Sequence, residues 1–183
     1  MKYLYVAAAP DVSAEDHRMV SDCLAGEFGL PVRRMSIPAV DFSYDAARGQ
    51  YRSTAILESL LRLWPRDAEK LLAVTERDLF VPVLTFVFGQ AQLGGRAAVV
   101  SLARLRQEFY GLPPSREVVV ARAAKEALHE AGHLFGLVHC EDRSCAMSLS
   151  TNVRQIDSKQ PALCAPCRAR LAGIASQELR VRE

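Results

Sequence analysis

The chain lacks the features that mark several special classes of protein. No apolar run approaches the ~18 residues of a membrane-spanning helix. Neither sign of charge dominates, since 23 Lys and Arg stand against 21 Asp and Glu, and the basic residues are scattered. We therefore expect neither nucleic acid nor an anionic membrane as a partner. The chain also lacks internal repeats and low-complexity segments, which excludes collagen-like, coiled-coil and disordered proteins.

Cysteine is sparse and unevenly placed. The 183 residues include five cysteines, and four of them, Cys140, Cys145, Cys164 and Cys167, fall in the last quarter of the chain. A small secreted disulfide scaffold would spread its cysteines more evenly. The opening MKYLYVAAAP begins like a signal peptide, but Pro10 ends its apolar run early, so we interpret it as a first strand. We therefore expect a cytoplasmic protein whose clustered cysteines bind a metal.

Apolar residues indicate alternating strands and helices through the first two-thirds of the chain. The strand candidates are Lys2–Ala9, Pro31–Pro38, Lys70–Thr75, Leu84–Phe88 and Ala97–Leu105. The helix candidates are Ser13–Phe28, Tyr51–Trp64, Arg116–Phe135 and, near the end, Ala165–Leu179. Strands and helices that alternate at this interval predict an α/β fold with a largely parallel sheet covered by helices.

The predicted helix 116–135 contains the start of a long motif, H-E-x-x-H-x-x-G-x-x-H. His129 and His133 are four residues apart, so they share a helical face and can reach one metal ion. Gly136 can adopt the left-handed conformation that ends the helix and brings His139 to the same ion. Three imidazoles with an open position are typical of catalytic zinc, which acidifies a water whose proton Glu130 can take. The alternative is a helix with two ordinary histidines.

The four clustered cysteines form two close pairs. Cys140 directly follows His139, and Cys164 and Cys167 are spaced C-x-x-C. Four thiolates fit a closed tetrahedral structural zinc site. A redox-active C-x-x-C is the alternative, although it needs a thioredoxin-like strand and helix around it. Cys23 has no nearby partner, and we expect it to pack on a helical face.

This constellation resembles the archaemetzincins, a branch of the metzincin metalloproteases. The shared features are a third histidine followed at once by cysteine, then C-x4-C-x-M and a distal C-x-x-C, from His129 to Cys167. Residues 78–79, 86–89, 101–105 and 109–113 are also similar to that family. The spacer between Met147 and Cys164 is one residue shorter than in the family pattern, a change that a loop can absorb.

The resemblance implies a metzincin-like zincin fold. It has a twisted, mostly parallel five-stranded sheet with an antiparallel edge strand, backing and active-site helices, and a small C-terminal subdomain. Residues 1–136 would form the upper subdomain, and residues 137–183 the lower one. The resemblance also implies that Met147 lies beneath the zinc ligands, whereas the residues alone allow an ordinary core methionine. It places one catalytic zinc on the three histidines and a structural zinc on the four cysteines.

These residues predict a zinc-dependent peptidase that binds two zinc ions per chain and acts as a monomer. The partner is a peptide or protein substrate, which can add along Leu84–Phe88 if that segment is an edge strand rather than an internal one. Endopeptidase and aminopeptidase activity both stay open. The alternative is a non-catalytic or weakly active two-zinc peptide-binding protein, and the intact Glu130 argues against it.

Overall fold

The computed structural model describes residues 1–181, and of residues 175–181 only the backbone. The strands of this part are β1 (Tyr3–Ala8), β2 (Val32–Ser36), β3 (Tyr44–Asp45), β4 (Gln50–Arg52), β5 (Ala68–Thr75), β6 (Leu79–Phe80), β7 (Gly89–Ala91) and β8 (Ala97–Ser101). The helices are α1 (Ala14–Leu24), α2 (Ser53–Arg62), α3 (Arg116–Leu134), α4 (Val153–Ser158) and α5 (Ala165–Val181).

A five-stranded sheet in the order β2-β1-β5-β8-β7 forms the centre of the fold. Its first four strands run parallel, and β7 pairs antiparallel with β8 at the edge. A second, three-stranded sheet has the order β3-β4-β6. This arrangement confirms the predicted α/β fold with a mostly parallel sheet and an antiparallel edge strand.

The central sheet is buried on both faces, as parallel sheets usually are. Successive strand residues point to opposite faces. Leu72 and Val74 therefore join the cluster that contains α1 and α3, whereas Leu71 and Ala73 join the cluster that contains α2. The long helix α3 is thus fixed against one face of the sheet, close to the edge strand β7.

Helix α1 begins within one residue of its predicted start but ends before its predicted end. Ser13 caps it by accepting a hydrogen bond from the Asp16 amide. The helix ends at Leu24, however, and not near Phe28. Gly26 adopts a φ of 83°, a left-handed conformation that stops an α-helix, and the apolar periodicity continues past this turn without being helical.

The predicted strand Leu84–Phe88 is wrong in position. The antiparallel edge strand is β7, Gly89–Ala91, which begins one residue later than the predicted segment ends. Residues 84–88 form an irregular segment, and the Arg48 guanidinium donates to two of its carbonyl oxygens at 2.8 and 3.1 Å. The alternating apolar residues therefore belong to an irregular segment that lines the cleft, in which Val87 forms an isolated antiparallel bridge with Leu79.

The chain after α3 forms loops around the short helix α4 and then α5, which is the helix predicted near the end. Residues 182–183 of the predicted lower subdomain lie outside the described part. Within residues 1–181, no helix is both long and apolar enough to cross a membrane.

Candidate active site

The three motif histidines converge at the end of α3. His129 and His133 lie on the last two turns of the helix, and His139 follows it. Their candidate ligand nitrogens all lie within 4.8 Å of one another. His129 is buried, His133 is partly buried and His139 is exposed, so the group lies at the floor of an open cleft rather than inside the core.

The turn at Gly136 brings the third histidine to the other two. Gly136 has a φ of 85°, its amide donates to the His133 carbonyl at 3.0 Å, and the Leu137 amide donates to the Gly132 carbonyl at 3.0 Å. These two bonds form the Schellman arrangement that closes a helix with a left-handed residue. The chain then reverses toward His139, as the sequence predicts.

Backbone carbonyls fix the tautomers of the two helical histidines. The Nδ1 atom of His129 lies 2.9 Å from the Ala146 oxygen, and that of His133 lies 2.7 Å from the Leu137 oxygen. A carbonyl oxygen can only accept, so each Nδ1 carries the proton and each neutral ring presents an unprotonated Nε2. These two Nε2 atoms face each other at 3.1 Å. Two lone pairs at that distance require a cation between them or beside them.

The gap between the two Nε2 atoms is close to the spacing that a divalent metal imposes on its ligands. Tetrahedral zinc with Zn–N bonds of ~2.05 Å places its ligand nitrogens about 3.3 Å apart, close to the 3.1 Å observed. Burial, together with the Lys159 ammonium, lowers the pKa of His129 well below its ordinary value. Burial also lowers the pKa of His133 and His139. The rings therefore hold protons weakly, while their neutral nitrogens remain available as ligands.

Glu130 lies beside the histidines in the same cleft and is 5% exposed. Burial raises its pKa well above the ordinary value, and the neighbouring Glu126 carboxylate adds to the rise. The edge strand runs directly against this side chain. A Cβ atom at Gly89 would lie 2.6 Å from both Cγ and Oε1 of Glu130, so only glycine leaves the carboxyl group in this position.

The cleft has a volume of about 370 Å³. The edge strand and the segment before it line it on one side, α3 and His139 form its floor, and a loop after Met147 lines it opposite. These lining residues are residues 84–91, Glu126, His129, Glu130, His133, His139 and residues 149–151.

The four clustered cysteines form a second candidate metal centre. Their sulfurs all lie within 4.8 Å of one another, with Cys140 and Cys164 Sγ 3.7 Å apart. Tetrahedral zinc with Zn–S bonds of ~2.3 Å sets sulfurs about 3.8 Å apart, whereas a disulfide needs about 2.05 Å. All five cysteines are free, and Cys23 lies outside the group, partly buried on α1. The geometry fits a metal and excludes a disulfide in this state.

Met147 connects the two centres from below. Its side chain is fully buried, and its sulfur would be 2.3 Å from a Cβ atom at Gly132, which lies between the two helical histidines. Its carbonyl accepts the Cys140 amide at 3.0 Å, and the preceding residue supplies the oxygen that binds His129. The methionine therefore packs under the helical turn that carries the histidines.

Sequence reasoning missed several residues of this site. Gly89 and Gly132 make room for Glu130 and Met147, and nothing in their local sequence shows that requirement. Glu126 could have been found, because it precedes Glu130 by four residues and so shares its helical face. Lys159 carried no signal, since it stands alone in a polar loop far along the chain.

Comparison with known proteins is consistent with this geometry. The family model described as peptidase family M54 matches residues 15–173. The archaemetzincin of Methanocaldococcus jannaschii is 46% identical over 138 residues, 74% of this chain and 75% of that protein. The archaemetzincin of Methanopyrus kandleri is 42% identical over 153 residues, 84% of this chain and 81% of that protein.

Solved structures are similar over nearly the whole chain. The crystal structure of the Methanopyrus kandleri archaemetzincin has a TM-score of 0.83 at 34% identity and covers 96% of each chain. That of a zinc-dependent peptidase from Methanocorpusculum labreanum has a TM-score of 0.82 at 30% identity, covering 92% of this chain and 99% of the other. The chain therefore belongs to peptidase family M54, the archaemetzincin family of zinc metallopeptidases, as its motifs predict.

Proposed function

We propose that this chain hydrolyses peptide bonds with a zinc ion held by His129, His133 and His139 and with Glu130 as the general base. The observation that carries the proposal is the convergence of three histidine nitrogens within 4.8 Å of one another, with a buried carboxyl group in the same cleft. Zinc, when bound there, supplies a Lewis acid that polarises a carbonyl and acidifies water.

Glu130 moves the proton in this proposal. Its raised pKa makes its carboxylate a stronger base than an exposed glutamate. The carboxylate accepts a proton from the attacking water and later delivers it to the leaving amine, so that its charge is restored at the end of the cycle. Gly89 has no side chain, so the edge strand leaves room for the Glu130 carboxyl group in this position.

The substrate lies extended along β7. The Phe88 carbonyl accepts the Ser101 amide of β8, and the Gln92 amide donates to the Ala97 carbonyl. In an antiparallel ladder every second residue turns its amide and carbonyl away from the partner strand, so those of Gly89 and Ala91 face the free edge. An extended peptide can pair there by main-chain hydrogen bonds, next to Glu130 and the histidines.

The chain divides, in our proposal, at the turn that ends α3. Residues 1–136 form an upper subdomain with the sheet and the active-site helix, and residues 137–183 form a lower one. The residues that line the cleft come from both parts, which supports a boundary at Gly136. The chain acts on peptides as a monomer.

A second zinc on Cys140, Cys145, Cys164 and Cys167 completes the proposal. Four sulfurs with no open position suit a structural ion. The site links the turn after His139 to the start of α5, so an ion there holds the lower subdomain together beneath the cleft.

Cleavage of a diverse peptide library by the purified protein tests the activity. Glu130→Gln keeps the shape of the side chain and removes the base, so kcat should fall by about 10²- to 10⁴-fold. Peptides with free and blocked N-termini separate aminopeptidase from endopeptidase cleavage. Equal cleavage by wild type and Glu130→Gln contradicts the assigned base. Peptide binding without cleavage by the wild type favours the alternative of a non-catalytic binding protein.

Zinc content tests the two centres separately. The wild type should hold two zinc ions per chain, with one lost in His129→Ala and the other in Cys164→Ser. A single ion together with disulfide-bonded cysteines in the purified protein contradicts the second centre.

A further inference from the structure

A lysine is buried behind the histidine centre, where a charged side chain is costly. The Lys159 side chain is 1% exposed and that of its partner, Glu126, is 4% exposed, with Nζ and Oε1 3.2 Å apart. Removing a buried charge from water is expensive, and a pair of apolar residues often stabilises a fold as well or better. Stability alone therefore gives a weak reason for this pair.

The second contact of the ammonium points to a different role. Lys159 Nζ also donates to the Ala146 carbonyl oxygen at 3.2 Å. The same oxygen accepts the Nδ1 proton of His129 at 2.9 Å. The Ala146 carbonyl oxygen thus accepts from both the Lys159 ammonium and the His129 imidazole. The ammonium therefore restrains the carbonyl group that sets the orientation of the His129 ring.

The first contact of the ammonium acts on the same turn of α3. Glu126 precedes His129 by three residues and Glu130 by four, so the three side chains lie on one face of the helix. Lys159 comes from the end of α4, and its two bonds connect α3 to the 145–147 segment. The helix and the carbonyl opposite it are therefore held at a fixed separation by one side chain.

We propose that Lys159 is a positioning residue of the peptidase site: through the Ala146 carbonyl it fixes the orientation of His129, and through Glu126 it fixes the turn that carries His129 and Glu130. This inference rests on the proposed function for its effect on turnover, but its effect on the His129 ring is independent of activity. Replacing a group of this kind, which holds a metal ligand and does not bind the metal itself, commonly lowers metal affinity or activity by about 10- to 100-fold.

The variant Lys159→Met tests the proposal, because methionine is an unbranched side chain only one atom shorter than lysine and lacks the ammonium. The matched control is Lys125→Met. Lys125 is also buried, but its ammonium donates to the Asp157 carbonyl, on the same helix α4 and away from Ala146. We expect kcat to fall about 10- to 100-fold in Lys159→Met with KM within about twofold, and to change by less than about threefold in the control.

The proton on Nδ1 of His129 supplies the readout that does not depend on turnover. Its exchange with water, followed by NMR in the zinc-loaded protein, should accelerate about tenfold in Lys159→Met as the Ala146 carbonyl loosens. The control should leave it unchanged. Equal kcat and equal exchange in the two lysine variants would overturn the proposal and leave Lys159 with a purely structural role.

The double variant Glu126→Gln/Lys159→Met keeps the test decisive if the single variant does not fold, since it leaves no unpaired buried charge. It should fold and still show fast exchange and low kcat. Recovery of both to wild-type values would show that Lys159 only offsets the charge of Glu126, and would overturn the role assigned to Ala146. A wild type without peptidase activity would refute the proposed function, while the exchange measurement would still test the position of His129.

Discussion

Replacing Gly89 with alanine should displace the Glu130 carboxyl group and lower kcat, while the fold stays stable. The backbone at Gly89 has no positive φ, so alanine is allowed there. Its Cβ, however, would lie 2.6 Å from Cγ and Oε1 of Glu130, whereas comfortable contacts begin at about 3.5 Å. The carboxyl group must therefore move by about 1 Å. A misplacement of 1 Å in a reacting group can cost about 10²-fold in rate, and we expect a loss of that order in kcat.

Steady-state kinetics on a peptide substrate, with zinc content and thermal unfolding measured alongside, provide the assay for Gly89→Ala. Gly173→Ala is the control, since a Cβ atom there meets nothing within 4 Å. The double variant Gly89→Ala/Glu130→Gln should be no slower than Glu130→Gln, because both changes disable one group. A wild-type kcat in Gly89→Ala would refute the reasoning. So would a double variant whose kcat lies as far below that of Glu130→Gln as the kcat of Gly89→Ala lies below that of the wild type.

Two glycines of the site and the release of zinc by acid provide further tests. Gly132→Ala should lower the free energy of unfolding by up to about 2 kcal/mol, because overpacking against the buried Met147 sulfur outweighs the better helix propensity of alanine; a more stable variant in urea unfolding would contradict this. Gly136→Ala should cost about 1–2 kcal/mol in the same measurement, since its φ of 85° is unfavourable for alanine while its Cβ would sit at an ordinary 3.5 Å from Ile174. Zinc should stay bound as the pH falls through 6.5, the ordinary pKa of histidine, because the pKa of His129 is lowered in the folded chain and protons compete only at lower pH; dialysis at stepped pH with a release midpoint at or above 6.5 would refute it.

The same lowered histidine pKa sets the sign of the acid dependence of stability. Below pH 6.5 the unfolded chain takes up protons that the folded histidines do not. The free energy of unfolding should therefore decrease as the pH falls from 6.5 toward the folded pKa values, most steeply when zinc is bound. Urea unfolding at a series of pH values measures this slope, and a stability that rises on acidification through 6.5 would contradict it.

The sequence predicts local features of the site well because short-range geometry controls them. Helical spacing puts His129 and His133 on one face, and a glycine after the helix predicts the turn to His139. The cysteine cluster is also visible in the spacing of Cys140, Cys145, Cys164 and Cys167, although only the fold shows that the two pairs meet.

The features that the sequence does not reveal depend on contacts between distant segments. The alternating apolar residues 84–88 favour a strand, but the paired strand begins at Gly89, because β8 pairs with residues 89–91 and from the preceding segment the Phe88 carbonyl accepts the amide of Ser101. The fit of Gly89 against Glu130 and the bond from Lys159 to Ala146 join residues 41 and 13 positions apart in the chain. No periodicity or motif records a contact of that kind.

His139 and Cys140 are consecutive, so one peptide bond joins a candidate ligand of the histidine centre to a candidate ligand of the cysteine cluster. The segment that directly follows Cys145 supplies the Ala146 carbonyl, which accepts from His129, and Met147, which packs beneath α3. Removal of an ion from the cysteines would therefore release the segment that supports the histidines. Removal of an ion from the histidines would leave the cysteine cluster, which is closed by its own backbone bonds, in place. Metal loss should accordingly have a preferred direction, in which chelation at the cysteine cluster also empties the histidine centre and chelation at the histidine centre spares the cysteine cluster.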